Sequence, residues 1–122
     1  MNELKHTEYV SAFVAKANAI ECFKRIAARC SLLLKQYNDN REDVYYMDVF
    51  ERFHIMMSNS FANDDPKVLF YLGLSLQKLV WDYRKILKLE GLDVGVILYD
   101  FNCQLHILKY CIKKDGDQTI ND

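Results

Sequence analysis

The sequence predicts an all-α fold, an antiparallel bundle of about four helices, and three observations lead there. Apolar residues recur at steps of three and four along four successive segments. One proline and four glycines in 122 residues leave few places where regular structure must stop, which favours long helices over a many-turned β-sandwich. Hydrophobic residues make up 51% of the chain and charged residues 27%, enough apolar surface for one core and too much for a disordered chain. Length points to a single domain over residues 1–122, and neither internal repeats nor low-complexity tracts interrupt it.

Breaks are expected near Asn38–Asn40, Ala62–Asp65 and Glu90–Gly91 and after Lys114, which delimits four segments. In the first, Val10, Phe13, Ala17, Ile20, Phe23, Ala27, Cys30, Leu34 and Tyr37 fall on one helical face, and a bend is allowed near Asn18. The second runs from about Arg41 to Phe61, with Tyr46, Phe50, Phe53 and Met57 as its stripe and Asp39 or Asn40 as its cap. The third has the clearest start signal. Asp65 supplies an acceptor side chain at the cap, and Pro66 sits where a missing N–H costs no bond. Its stripe is Leu69, Leu72, Leu76, Leu79, Tyr83 and Ile86, and Gly91 can adopt the left-handed conformation that ends it.

In the fourth segment, Val94–Tyr99 would fit a short buried strand as well as a helix. Helix is expected because Val94, Ile97, Phe101, Leu105, Leu108 and Ile112 keep the helical rhythm, whereas a lone strand would leave its ladder groups unpaired. The polar segment Asp115–Asp122, which contains Gly116, is expected to be a mobile tail.

No apolar run reaches the ~18–20 residues a membrane span requires, and the amino terminus lacks a basic stretch followed by an apolar one. No membrane association is expected, and a cytoplasmic location is. The four cysteines, Cys22 with Cys30 and Cys103 with Cys111, are spaced too widely for zinc knuckles and read as free, buried thiols.

Charge is segregated along the chain. Residues 1–37 carry six Lys/Arg against three Asp/Glu, residues 38–65 two against seven, residues 66–91 five against two, and residues 92–122 three against five. An almost neutral protein is therefore assembled from basic and acidic elements. Attraction between neighbouring helices explains part of this, at a fraction of a kcal/mol per exposed pair. The acidic second segment also has the character of a docking surface for a basic partner, since clustered charge speeds encounter and rejects wrong partners.

Chemistry-bearing motifs are sparse. There is no phosphate-cradling glycine loop, no Gly-x-Ser-x-Gly turn, no His-Glu-x-x-His and no Cys-x-x-Cys, so neither an enzyme nor a cofactor is expected. Cys103 and His106 share a helix face, and Glu3-x-x-His6 with Glu51-x-x-His54 match the spacing of di-metal bundles, but the core stripes supply almost no bridging carboxylates. An Arg followed four to six residues later by His, the pattern of helical ribonucleases of the HEPN type, does not occur. Lys24, Arg25 and Arg29 with Lys85 and Lys88 form at most a short basic strip, and direct nucleic-acid binding is not expected of a chain with net charge −1.

The function expected is that of an immunity protein, which binds and neutralises a cognate protein toxin, for example a nuclease with a basic active site, through an acidic helical surface. In size, helical class and charge the chain is similar to the small helical immunity proteins of colicin and contact-dependent inhibition systems. Opposite the core stripe of the second helix, Val44, Asp48, Glu51 and Ile55 form another stripe, flanked by Tyr45 and Arg52. Asp48 and Glu51 are the expected charge partners. Asp39, Glu42 and Asp43 serve as steering or capping carboxylates, and Tyr45 and Ile55 as apolar anchors. The competing expectation is a homodimeric adaptor, or a phage-encoded regulatory protein that binds a host protein.

Overall fold

The computed structural model describes the backbone of residues 2–40, 48–61 and 64–121, and the side chains over 12–40, 48–61 and 64–113. Local chemistry sets most of the helix ends. Asp65 accepts from the Lys67 amide at 2.9 Å with Pro66 in the first turn, which starts α3 (Pro66–Asp82) where the sequence predicts it. Gly91 has φ +94°, its amide donates to the Lys88 carbonyl and the Leu92 amide to the Leu87 carbonyl at 2.9 Å. That pair of bonds is a Schellman ending, and it closes α4 (Arg84–Leu89). Asp93 then accepts from the Val96 amide at 3.2 Å and opens α5 (Val94–Asn121), so residues 94–99 are helix and not strand. α5 continues past the break expected after Lys114. No strand occurs among the described residues.

Two boundaries depart from the sequence expectation. α1 (Asn2–Asp39) is continuous through Asn18, but the second helix, α2 (Val49–Ser58), starts about eight residues later than Arg41. Its cap is Asp48, not Asp39 or Asn40: Asp48 accepts from the Glu51 amide at 2.9 Å. The third segment divides in two at Tyr83, whose φ of −97° and ψ of 12° lie in the bridge region, so the bundle has five described helices. The Tyr83 ring packs edge-on to Phe50 at 5.7 Å, and α4 packs against α1.

Directions follow from a few contacts. α2 starts beside Ser31 of α1, and the connection after it returns to Lys16, whose ammonium donates to the Asp64 carbonyl at 3.3 Å. α2 therefore runs against α1. α3 starts at that same end and rises alongside α1, so that Gly73 faces Phe23. α5 descends against α3, with Gln77 donating to Asn102 at 2.8 Å. The result is an up-down-up-down arrangement with one core.

The core holds Ile20, Phe23, Ala27, Cys30 and Leu34 of α1, Phe50 and Met57 of α2, Leu69, Leu76 and Val80 of α3, Leu87 of α4, and Phe101, Leu105 and Leu108 of α5. Phe23 and Phe101 stack at 5.6 Å near its middle. Gly73 makes this possible. A Cβ there would sit 2.6 Å from Phe23 Cζ and 3.0 Å from Leu105 Cδ2, so α3 lies closer to its neighbours than any side chain permits. The buried line of α3 runs through Leu69, Gly73, Leu76 and Val80, and the expected members Leu72, Leu79, Tyr83 and Ile86 flank it, partly buried. Phe13 is 50% exposed although it keeps the periodicity of α1. It lies on the amino-terminal side of Lys16, which meets the connection where α2 has ended and α3 is about to begin.

Candidate functional site

α2 offers two unlike sides. Phe50 and Met57 are sealed in the core and Phe53 is partly buried, whereas Glu51, Arg52, Ile55 and Met56 face solvent. Three expected site residues, Glu51, Arg52 and Ile55, are thus brought onto one exposed flank of a 10-residue helix. Ile55 is 54% exposed and Met56, which sequence reasoning did not single out, 40%. Asp39 closes α1 and is exposed. Glu42, Asp43, Val44 and Tyr45 lie outside the described residues.

Asp48 has a different place from the one expected. Its side chain is only 18% exposed and does not stand on the outer face of the helix. One carboxylate oxygen takes the Glu51 amide, and the other accepts from the Ser31 hydroxyl at 2.6 Å. Ser31 is the single buried polar side chain of the described core, so this bond satisfies a group that would otherwise lie unpaired. Lys35 approaches the same carboxylate at 3.7 Å and Glu51 at 4.0 Å. Asp48 is therefore a structural pin between α1 and α2, while Glu51 holds only a loose, exposed ion pair that a partner can replace at a cost below about 1 kcal/mol.

A second solvent-facing surface was missed in the sequence. α3 and α5 enclose an open groove of about 440 Å³ lined by Leu74, Gln77, Lys78, Trp81, Leu98 and Asn102. Trp81, 52% exposed, is braced from one side: the Arg84 guanidinium stacks 4.1 Å from the ring centroid and also donates to the Trp81 carbonyl at 2.9 Å. Val68 and Tyr71 of α3 are exposed as well, outside the groove lining. The available signal was that these apolar residues fall off the Leu69–Leu76 stripe and so had no core to enter.

The chemistry of the remaining groups is subdued. Burial pushes the Cys30 thiol up to about 12, with Arg29 pulling the other way. Burial also raises Cys22, with Arg25 opposing it. Cys103 is exposed and hydrogen-bonds the Tyr99 hydroxyl, which raises the phenol. Among the described residues no three His, Cys, Asp or Glu side chains come together in a way that could hold a metal ion, and no helix is long and apolar enough to cross a membrane. His106 and Cys103 are both exposed on α5, and His54 is half-buried on α2.

No protein-family model, curated protein or solved structure matches this chain.

Proposed function

We propose that this chain is a protein-binding inhibitor, an immunity protein that neutralises a cognate toxin, and that it docks through the exposed flank of α2. The observation that carries the proposal is the pairing, on one short and firmly seated helix, of a bulky apolar side chain (Ile55) and a flexible one (Met56) with an accessible carboxylate (Glu51). An aliphatic anchor beside a carboxylate is what a basic protein surface requires: burial of the anchor supplies affinity, up to about 1.5–3 kcal/mol for a fully buried side chain, and the charge supplies orientation and encounter rate. The seating of α2 matters as much. Phe50 and Met57 in the core and Asp48 at the cap hold the flank in place before the partner arrives, which lowers the ordering cost of association.

Residues 38–65 carry seven carboxylates against two cations, so the segment that contains α2 is acidic, and Asp48 keeps the helix in position without itself meeting the partner. The toxin is expected to present a basic face, and a nuclease domain that must hold phosphates has one. A cytoplasmic location suits four free cysteines, three of them buried.

The test is neutralisation in cells. A toxin domain encoded beside this chain's gene is expected, under this proposal, to arrest growth when expressed alone, and co-expression of this chain to restore it. Continued arrest with the chain present at equal or higher level would refute the proposal. Light scattering of the purified chain separates the homodimeric alternative, which requires a dimer at micromolar concentration before any partner is added.

A further inference from the structure

The groove between α3 and α5 is built for an occupant of its own. It is lined by Leu74 and Trp81 on α3 and Leu98 on α5, and the exposed Gln77–Asn102 hydrogen bond links the two helices beside them. The only charge among the lining side chains is that of Lys78. Lys85 and Lys88 of α4, the helix that follows Trp81, are exposed, and among the solvent-facing residues of α3 and α4 Asp82 is the one carboxylate opposed to Lys67, Lys78, Lys85 and Lys88. The Arg84 stack covers one face of Trp81, which is still 52% exposed, so the ring is held against the helix with apolar surface in water.

We propose that this groove binds an acidic amphipathic helix of a partner protein, with apolar side chains at one-turn spacing entering between Leu74, Trp81 and Leu98 and carboxylates meeting Lys78 and Lys85. Charge complementarity selects the occupant: an apolar slot rimmed by lysines repels a basic helix and favours an acidic one. Its concavity favours a helix over a flat lipid surface, because a planar bilayer cannot enter a slot between two helices. This surface is opposite in sign to the flank of α2 and does not depend on it. A chain with both could hold two partners of opposite charge.

Trp81 is the only tryptophan in the chain, so its fluorescence reports on the groove directly. The probe is a synthetic helical peptide without tryptophan, carrying leucines on one face and glutamates on the other, compared with the same peptide bearing lysines in place of the glutamates. The acidic peptide is expected to shift Trp81 emission to the blue and to saturate at micromolar concentration. Lys78→Glu with Lys85→Glu is expected to weaken it about tenfold or more, equivalent to about 1.4 kcal/mol, and Leu74→Glu to abolish it. Glu51→Lys on α2 is expected to leave the titration unchanged, which separates this site from the toxin-binding flank. All four substituted positions are exposed, and circular dichroism checks that each variant is folded. No shift up to about 1 mM acidic peptide, equal binding of the basic peptide, or a shift induced only by phosphatidylserine vesicles would each overturn the proposal.

Discussion

Three glycine-to-alanine substitutions test the packing with three different expected outcomes. At Gly73, alanine is the better helix former by roughly 0.8–1.0 kcal/mol, so propensity alone predicts stabilisation. The structure predicts the opposite. The new methyl carbon would fall 2.6 Å and 2.7 Å from two atoms of the Phe23 ring and 3.0 Å from Leu105 Cδ2. Phe23 is wholly buried and stacked on Phe101, so it cannot swing away, and α3 must move outward instead. Overpacking of this kind costs about 1–3 kcal/mol, which leaves Gly73→Ala net destabilised by about 1 kcal/mol after the propensity gain. At Gly91 nothing lies within 4 Å, but φ is +94°, so alanine there meets backbone strain of about 1 kcal/mol without any clash. At Gly95 a Cβ would meet only Asp93 Oδ1 at 3.5 Å, and alanine is expected to stabilise by a few tenths of a kcal/mol up to about 1. Urea unfolding followed by far-ultraviolet circular dichroism gives all three values with an unchanged slope. A stabilised Gly73→Ala protein would refute the close approach of α3 to α1 and α5.

Other consequences are equally direct. Asp48→Ala is expected to cost about 2 kcal/mol, combining a lost helix cap with a stranded Ser31 hydroxyl, whereas Asp48→Asn retains much of the capping; urea midpoints compare them. Ellman's reagent should titrate one thiol per native chain, Cys103, and all four once the chain is unfolded; fast reaction of Cys30 or Cys22 in the native state would contradict their burial. Folding favours the protonated Cys30 thiol, whose pKa rises from 9.0 to about 12, so its contribution is constant below about pH 8 and is lost as pH climbs through that window. Stability measured from pH 8 to 11 should fall, and Cys30→Ala, although less stable throughout, should fall less steeply.

Elements with local signals were legible in the sequence. Asp65-Pro66 and Gly91 mark their helix boundaries with side-chain and backbone chemistry that needs no distant partner, and the structure has both where expected. The start of α2 was not legible, because Asp39, Asn40 and Asp48 are all competent caps. What selects Asp48 is Ser31, 17 residues earlier, which offers it a buried hydroxyl. The same long-range contact removes Asp48 from the expected binding stripe and leaves Glu51, Arg52 and Ile55 on it. The stripe of α3 was offset because Gly73 lies at its centre, and a glycine carries no apolar side chain to reveal a buried position. The groove was overlooked for the complementary reason: Leu74 and Trp81 show their meaning only once α5 is seen to lie beside them without covering them.

The most direct test of the binding surface uses the toxin domain once its neutralisation is established. Titration calorimetry of Ile55→Asp with that domain is expected to show affinity reduced by a factor of about 30 or more, equivalent to about 2 kcal/mol, while the urea midpoint stays within error of the parent because Ile55 is already exposed. Unchanged affinity in a folded Ile55→Asp chain would contradict docking through the flank of α2.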